Sequence, residues 1–298
     1  MIKNISIIGS GTMGNGIAHT FAQYGFSVTL IDIAKVQLEK GFSTIEKNMD
    51  RMIQKGILTE NQKQESLKRI VLSDSMPEGL LEADLVIEAA TENQDIKLKI
   101  FKDLDRFCKP EAILATNTSS ISITKIAAVT NRPGQVIGMH FMNPVPVMKL
   151  VEVVLGYDTD QETVRSIIGL SKEIEKIPVC VNDYPGFISN RILMPMINEA
   201  ICTLFEGVAG VQEIDSIMKL GMAHPMGPLQ LADFIGLDVC LAIMEVLFEG
   251  FKNPKYAPCP LLVNMVAARH LGSKTGEGFY SYIKGNKELV VASRFKTI

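Results

Sequence analysis

The sequence predicts an α/β protein: a mostly parallel sheet with helices on its faces, followed by an all-α C-terminal domain. Three observations carry that reading. Over the first 180 residues, short β-branched runs alternate with amphipathic helical stretches, the pattern of strands joined by helical crossovers. From 187 to 271 the apolar residues recur only at helical spacing. Between the two regimes, Pro185 and Gly186 punctuate the chain. The expected domains are therefore residues 1–184 and 185–282, with an extension over 283–298.

In chain order, the predicted strands are NISIIG, SVTLID, RIVLS, DLVIEA, AILATN, QVIGMH, KLVEVV and IPVCV. Each is short, apolar and bounded by turn residues or helical pattern. Helices are expected over VQLEKGFSTIEKNMDRMIQ and DIKLKIFKDLDRF, where apolar residues return every three or four positions. The second domain offers four helical stretches: SNRILMPMINEAICTLFEG, VQEIDSIMKLG, GPLQLADFIGLDVCLAIMEVLFEG and PLLVNMVAARHLG. After GFYSY, the segment ELVVASRF has the composition of a short strand or helix and is assigned no role.

The 298 residues are 47% hydrophobic and carry 30 basic against 33 acidic side chains, a net charge of −3. That balance excludes nucleic acid and membrane surfaces as partners, because no basic excess exists to neutralise phosphates. No apolar run reaches the roughly 18 residues of a membrane span. The opening MIKNISIIGSG reads as a strand and turn, not as a signal peptide. Cys108, Cys180, Cys202, Cys240 and Cys259 are scattered, as expected of reduced thiols in a cytoplasmic protein, and no metal site is expected.

The stretch ISIIGSGTMGNGIAHTFAQYG sets Gly9, Gly11 and Gly14 directly after a strand and at the opening of a helix. Such a loop turns tightly, lets backbone approach a pyrophosphate, and aims a helix N-terminus at its charge. The next strand ends in Asp32, near the spacing of the acid that binds an adenosine ribose. Strand, turn, helix, strand and acid in this order predict a Rossmann-type domain that binds NAD. A 2′-phosphate would meet the Asp32 carboxylate, which favours NAD over NADP, although Lys35 nearby is a cation that NADP could use.

Oxidation of an alcohol by a nicotinamide also needs a base for the hydroxyl proton. Of the four histidines, His19 falls in the first helix, His224 in a turn, and His270 at a helix end. His140 alone ends a predicted sheet strand, where open α/β sheets bind ligands. Alternation along KLVEVV puts Glu152 among apolar neighbours, and a buried carboxylate needs a partner. Paired with His140, it would fix the ring tautomer and stabilise the imidazolium.

Taken together, GSGTMG, ATNTSS, HFMNPVPVMKLVEVV, PGFISNRI, GPLQLADFIGLD and KTGEGFY resemble the L-3-hydroxyacyl-CoA dehydrogenases, and among them the compact bacterial 3-hydroxybutyryl-CoA dehydrogenases. The likeness runs from about residue 2 to residue 282. It implies NAD-dependent interconversion of (S)-3-hydroxyacyl-CoA and 3-oxoacyl-CoA, with His140 as catalytic base and Glu152 as its orienting carboxylate. It also implies that Ser119 contacts the substrate's 3-oxygen and that Asn190 holds the substrate. Read from the residues alone, Ser119 is a helix cap and Asn190 a polar residue in a first helical turn. For the cofactor, the resemblance implies Gly9, Gly11, Thr12, Met13, Gly14, Asp32, Glu92, Lys97, Asn117, Ser119, Asn143 and Lys274. Without it, Lys97 reads as a solvated helix face and Asn143-Pro144 as a turn.

Coenzyme A phosphates would be met by Arg51 and Lys55, four apart on one helical face; a solvated charged face is the equal alternative. This chain has Gln54 and Ile57 where relatives carry further lysines. The apolar excess of GPLQLADFIGLDVCLAIMEVLF predicts a homodimer formed through the helical domain. Two other functions fit parts of the pattern: a dehydrogenase of a free hydroxy acid, or a non-catalytic NADH-binding protein. Retention of both His140 and Glu152 argues against the second.

Overall fold

Each β-branched run forms a strand: β1 Asn4–Ile8, β2 Ser27–Ile31, β3 Ile70–Ser73, β4 Leu85–Glu88, β5 Ile113–Thr116, β6 Val136–Phe141, β7 Leu150–Leu155 and β8 Ile177–Asn182. The chain was described with a computed structural model, over residues 2–282 and 288–296. It divides into two compact units, Met1–Tyr184 and Pro185–Ile298.

In the first unit the eight strands make one sheet in the order β3-β2-β1-β4-β5-β6-β7-β8. All neighbours are parallel except β6 and β7, which run antiparallel. The sheet is thus mostly parallel, as the alternation predicts. Every residue of β4 and β5 is buried, because helices cover both faces of a parallel sheet. The last strand, β8, is largely exposed and carries Pro178, which an edge strand tolerates because its missing N–H costs no central ladder bond. The helices of this unit are α1 Thr12–Gln23, α2 Lys35–Gln54, α3 Glu60–Lys68, α4 Met76–Leu80, α5 Gln94–Phe107, α6 Ile123–Ala127 and α7 Gln161–Glu173. Helix α1 buries Ile17, Ala18, Phe21 and Ala22 against the sheet core. Phe21 meets Phe141 edge-to-face at 6.3 Å, and truncating so buried a ring costs about 3–5 kcal/mol. The order of strands reverses at β1, with β2 on one side and β4 on the other, which opens a crevice at their carboxyl ends.

The second unit is mostly helical: α8 Ser189–Phe205, α9 Val211–Gly221, α10 Pro228–Ile235, α11 Leu237–Phe251 and α12 Pro260–Ala267. The long apolar run from 227 to 250 is two helices, because Gly236 between them adopts φ +102°, a conformation that ends α10. The expectation of an all-α domain needs one correction. Two-residue strands β9 Tyr280–Ser281 and β10 Val290–Val291 pair antiparallel. Part of the extension therefore packs on this unit, with Ala292 buried and Phe295 against Phe279 at 5.7 Å. The rest of the extension, at 283–287 and 297–298, lies outside the described residues.

Candidate active site

The glycine loop is built by close contact. Gly9 sits at φ +95°, and a Cβ on Gly14 would lie 1.8 Å from the Gly9 carbonyl oxygen, so α1 can approach β1 only with hydrogen at position 14. A Cβ on Gly11, by contrast, would meet nothing within 4 Å. Gly11 caps α1, and no acidic residue occupies the first turn, leaving the positive end of the helix dipole uncompensated. At the end of β2, Asp32 accepts hydrogen bonds from the Ser10 amide (2.9 Å), the Ser10 hydroxyl (2.8 Å) and the Ala34 amide (3.1 Å). A cavity of about 360 Å³ opens here, lined in part by Ser10, Gly11, Thr12, Lys40, Asn143 and Pro144. An open helix N-terminus, a lysine and a fixed acid one strand away suit a dinucleotide: pyrophosphate on the helix, ribose on the acid. Met13 is half-buried beside the loop, and Lys35 pairs with Asp74 at 3.1 Å.

His140 and Glu152 stand directly opposite each other in the antiparallel β6–β7 pair. The ring Nδ1 lies 2.7 Å from Glu152 Oε2, and both residues are buried. A carboxylate can only accept, so Nδ1 carries a proton, and in the neutral ring Nε2 is then the nitrogen with the lone pair. That lone pair faces the Ser119 hydroxyl at 3.1 Å. The serine is therefore no helix cap; the residue that caps α6 is Ser122, whose side chain accepts from the Lys125 amide.

A second network lies behind Ser119. Glu92 Oε1 accepts from the Thr118 hydroxyl (2.7 Å), the Ser119 amide (2.8 Å) and the Ser120 hydroxyl (3.0 Å). Lys97 does not lie on a solvated helix face: it is 1% exposed and ion-paired with Glu88, and its ammonium lies 3.9 Å from Glu92 Oε2. Asn117 Oδ1 accepts from the Phe141 amide at 2.9 Å, joining the end of β5 to the strand that carries His140. Glu88 had no place in the sequence reading, although a readable signal existed. Lys97, Phe101 and Leu104 share the buried stripe of α5 at helical spacing, and a lysine there demands an acid.

Arg51 and Lys55 belong to the end of α2, and Asn190 and Lys274 to the second unit. Arg51 is exposed near the end of α2 and donates to Asn48 Oδ1 at 3.3 Å, while Lys55 is the exposed C-cap residue. Asn190 is buried in the first turn of α8, in the second unit. Lys274, also there, is ion-paired with Asp238. The other histidines are engaged differently. Burial pushes His19 down to about 4, which keeps it neutral. His270 meets Glu277 at 3.3 Å but takes the Arg294 guanidinium on its other nitrogen. Among the described residues no cluster could hold a metal ion, and no helix is long and apolar enough to cross a membrane.

A dinucleotide loop at the switch point of the sheet, with a carboxylate-held imidazole at the end of β6, defines a nicotinamide-dependent dehydrogenase. Comparison narrows the class. Residues 4–184 match the model of the 3-hydroxyacyl-CoA dehydrogenase NAD binding domain, and residues 186–282 that of the 3-hydroxyacyl-CoA dehydrogenase C-terminal domain. The chain belongs to the 3-hydroxyacyl-CoA dehydrogenase family. It is 54% identical to a probable 3-hydroxybutyryl-CoA dehydrogenase of Bacillus subtilis over 94% of this chain and 98% of that one. It is 42% identical to the human mitochondrial hydroxyacyl-coenzyme A dehydrogenase, over 95% of this chain and 92% of that one. The crystal structure of (S)-3-hydroxybutyryl-CoA dehydrogenase from Ralstonia eutropha superposes with a TM-score of 0.92 at 52% identity, covering 95% of this chain and all of that one.

Proposed function

We propose that the chain interconverts (S)-3-hydroxyacyl-CoA and 3-oxoacyl-CoA with NAD(H), and that the four-carbon pair, 3-hydroxybutyryl-CoA and acetoacetyl-CoA, is its substrate. The observation that carries this reading is the row Glu152, His140, Ser119, linked at 2.7 and 3.1 Å, at the same edge of the parallel strands as the glycine loop. The names of the 54% and 52% identical relatives support the four-carbon choice.

Bound NAD supplies the hydride acceptor. Gly9, Gly11, Thr12, Met13 and Gly14 would hold its pyrophosphate, and Asp32 would take its ribose. Glu92, Lys97, Asn117, Ser119, Asn143 and Lys274 complete the cofactor set by family resemblance. In oxidation, His140 Nε2 takes the 3-hydroxyl proton as C3 gives up hydride; in reduction, the imidazolium returns it. Glu152 holds the ring in the tautomer this requires and balances the charge formed. By family resemblance, Ser119 and Asn190 position the substrate oxygen near the base. Orientation supplies most of the acceleration, with proton transfer adding about 10²–10⁴-fold. Arg51 and Lys55 offer their charges to coenzyme A phosphates.

The protein acts as a homodimer through its helical unit, which exposes the large apolar side chains of Phe205, Leu220, Met222 and Phe234. Five free cysteines support a cytoplasmic setting. The deciding experiment follows NADH absorbance. Oxidation with acetoacetyl-CoA but not with free acetoacetate is expected; equal rates on the two would replace the thioester reading with a free-acid dehydrogenase, and NADH binding without turnover on either would end both.

A further inference from the structure

We propose that Glu88, assigned no role above, is a positioning residue for this reaction: through Lys97 and Glu92 it sets the place of Ser119. The inference rests on the reading of Ser119 and His140 just given.

Glu88 ends β4 and is 0% exposed. A carboxylate so far from water persists as a charge only if paired and hydrogen-bonded, and this one is both. Its Oε1 accepts from the Ala90 amide at 2.9 Å, and its Oε2 from the Thr116 hydroxyl at 2.8 Å and from the Lys97 ammonium. These partners come from the β4 end, β5 and α5, so Glu88 is tied to three rigid elements at once.

Glu92 is placed differently. Its side chain is 45% exposed, and solvent competes for its oxygens. Yet one of those oxygens takes three donors from the Thr118–Ser120 turn, the Ser119 amide among them. The Lys97 ammonium stands 3.9 Å from its other oxygen and adds a charge that draws the carboxylate inward. Lys97 can stay charged at 1% exposure because Glu88 neutralises it. The order of support is then Glu88, Lys97, Glu92, the Ser119 backbone and, from the Ser119 hydroxyl, His140 Nε2. A shift of about 1 Å in a group that aligns reacting atoms costs on the order of 10²-fold in rate, which gives a buried charge this remote a route to turnover.

The test is a double-variant cycle on the full-length enzyme, with acetoacetyl-CoA and saturating NADH. Wild type, Glu88→Gln, Ser119→Ala and the combination are compared. Glu88→Gln should lower kcat at least tenfold while KM for acetoacetyl-CoA moves less than about twofold. In the Ser119→Ala background the same change should cost less than about twofold, because the residue it positions is gone. Multiplying losses would overturn the proposal, as would wild-type turnover by Glu88→Gln. If Glu88→Gln fails to fold by circular dichroism, Glu88→Leu with Lys97→Met removes both charges together and enters the same cycle, with the same outcomes deciding. Wild-type turnover tests the assigned reaction separately. Should Ser119→Ala keep full activity, the role of Ser119 falls and the inference with it.

Discussion

Glu152 and Asp233 are carboxylates almost equally removed from water, at 3% and 0% exposure, yet their partners make them opposites. Glu152 faces an imidazole, a group whose ring nitrogens can take up and release a proton. Asp233, in the helical unit, faces the amides of Phe279 (3.0 Å) and Tyr280 (2.9 Å) and the Tyr282 hydroxyl (3.1 Å). These donors fasten the 279–282 segment to α10 through Asp233. Asp215 repeats that use, binding the Leu229 and Gln230 amides and the Tyr280 hydroxyl. Burial alone therefore says little about function; the partner's capacity to exchange a proton decides.

The contrast breaks most visibly at His140. His140→Gln should lower turnover of acetoacetyl-CoA by about 10²–10⁴-fold while NADH fluorescence titration and the melting temperature stay near wild type. Near-normal turnover would remove the base from its role. Asp233→Ala should do the reverse, leaving two backbone amides and a tyrosine hydroxyl unsatisfied at a loss of roughly 3 kcal/mol in urea unfolding. A variant as stable as wild type would show that Asp233 fastens nothing.

Acidity sharpens the comparison further. Burial, opposed by the hydrogen bonds of Tyr280, Phe279 and Tyr282, pushes the Asp233 carboxyl from its ordinary 3.8 to about 6. Because the folded value exceeds the unfolded one, the folded state binds the extra proton between these values. The stability this lends is full below about pH 4 and lost as pH rises through about 6, on the order of 3 kcal/mol. Unfolding measured from pH 4 to 7.5 should show that decline in wild type relative to Asp233→Asn, which lacks the titrating group. Parallel curves would contradict it. The smallest effect is expected at Asp32, a half-buried acid between these extremes. Asp32→Ala should weaken NAD about tenfold more than NADP, and equal losses would show that the carboxylate does not meet the ribose.

Much of this was legible beforehand because buried parallel strands announce themselves as short β-branched runs between turn residues. The glycine loop and Asp32 were legible through their order, and the His140–Glu152 pair through strand alternation. What stayed hidden depended on contacts between segments distant in sequence. Nothing local in DIKLKIF says that Lys97 points inward to Glu88; only its spacing to Phe101 and Leu104 hints at it. Asp233 lies in an apolar helix whose acid has meaning only beside residues 279–282, far along the chain. Of the β9–β10 pair, ELVVASRF had the composition of a short strand or helix around Val290–Val291, while the two residues of β9 left no periodicity to read.

The antiparallel pairing of β6 with β7 has an outcome for how such enzymes vary. The base and its acid are twelve positions apart and meet by register, so what evolution must conserve is a count as well as two letters. One residue inserted between Leu150 and Glu152 would leave both letters in place and turn the acid to the far side of the sheet. Homologues that keep the histidine and glutamate but change the parity of that strand should be sought among proteins that bind the dinucleotide without turning anything over.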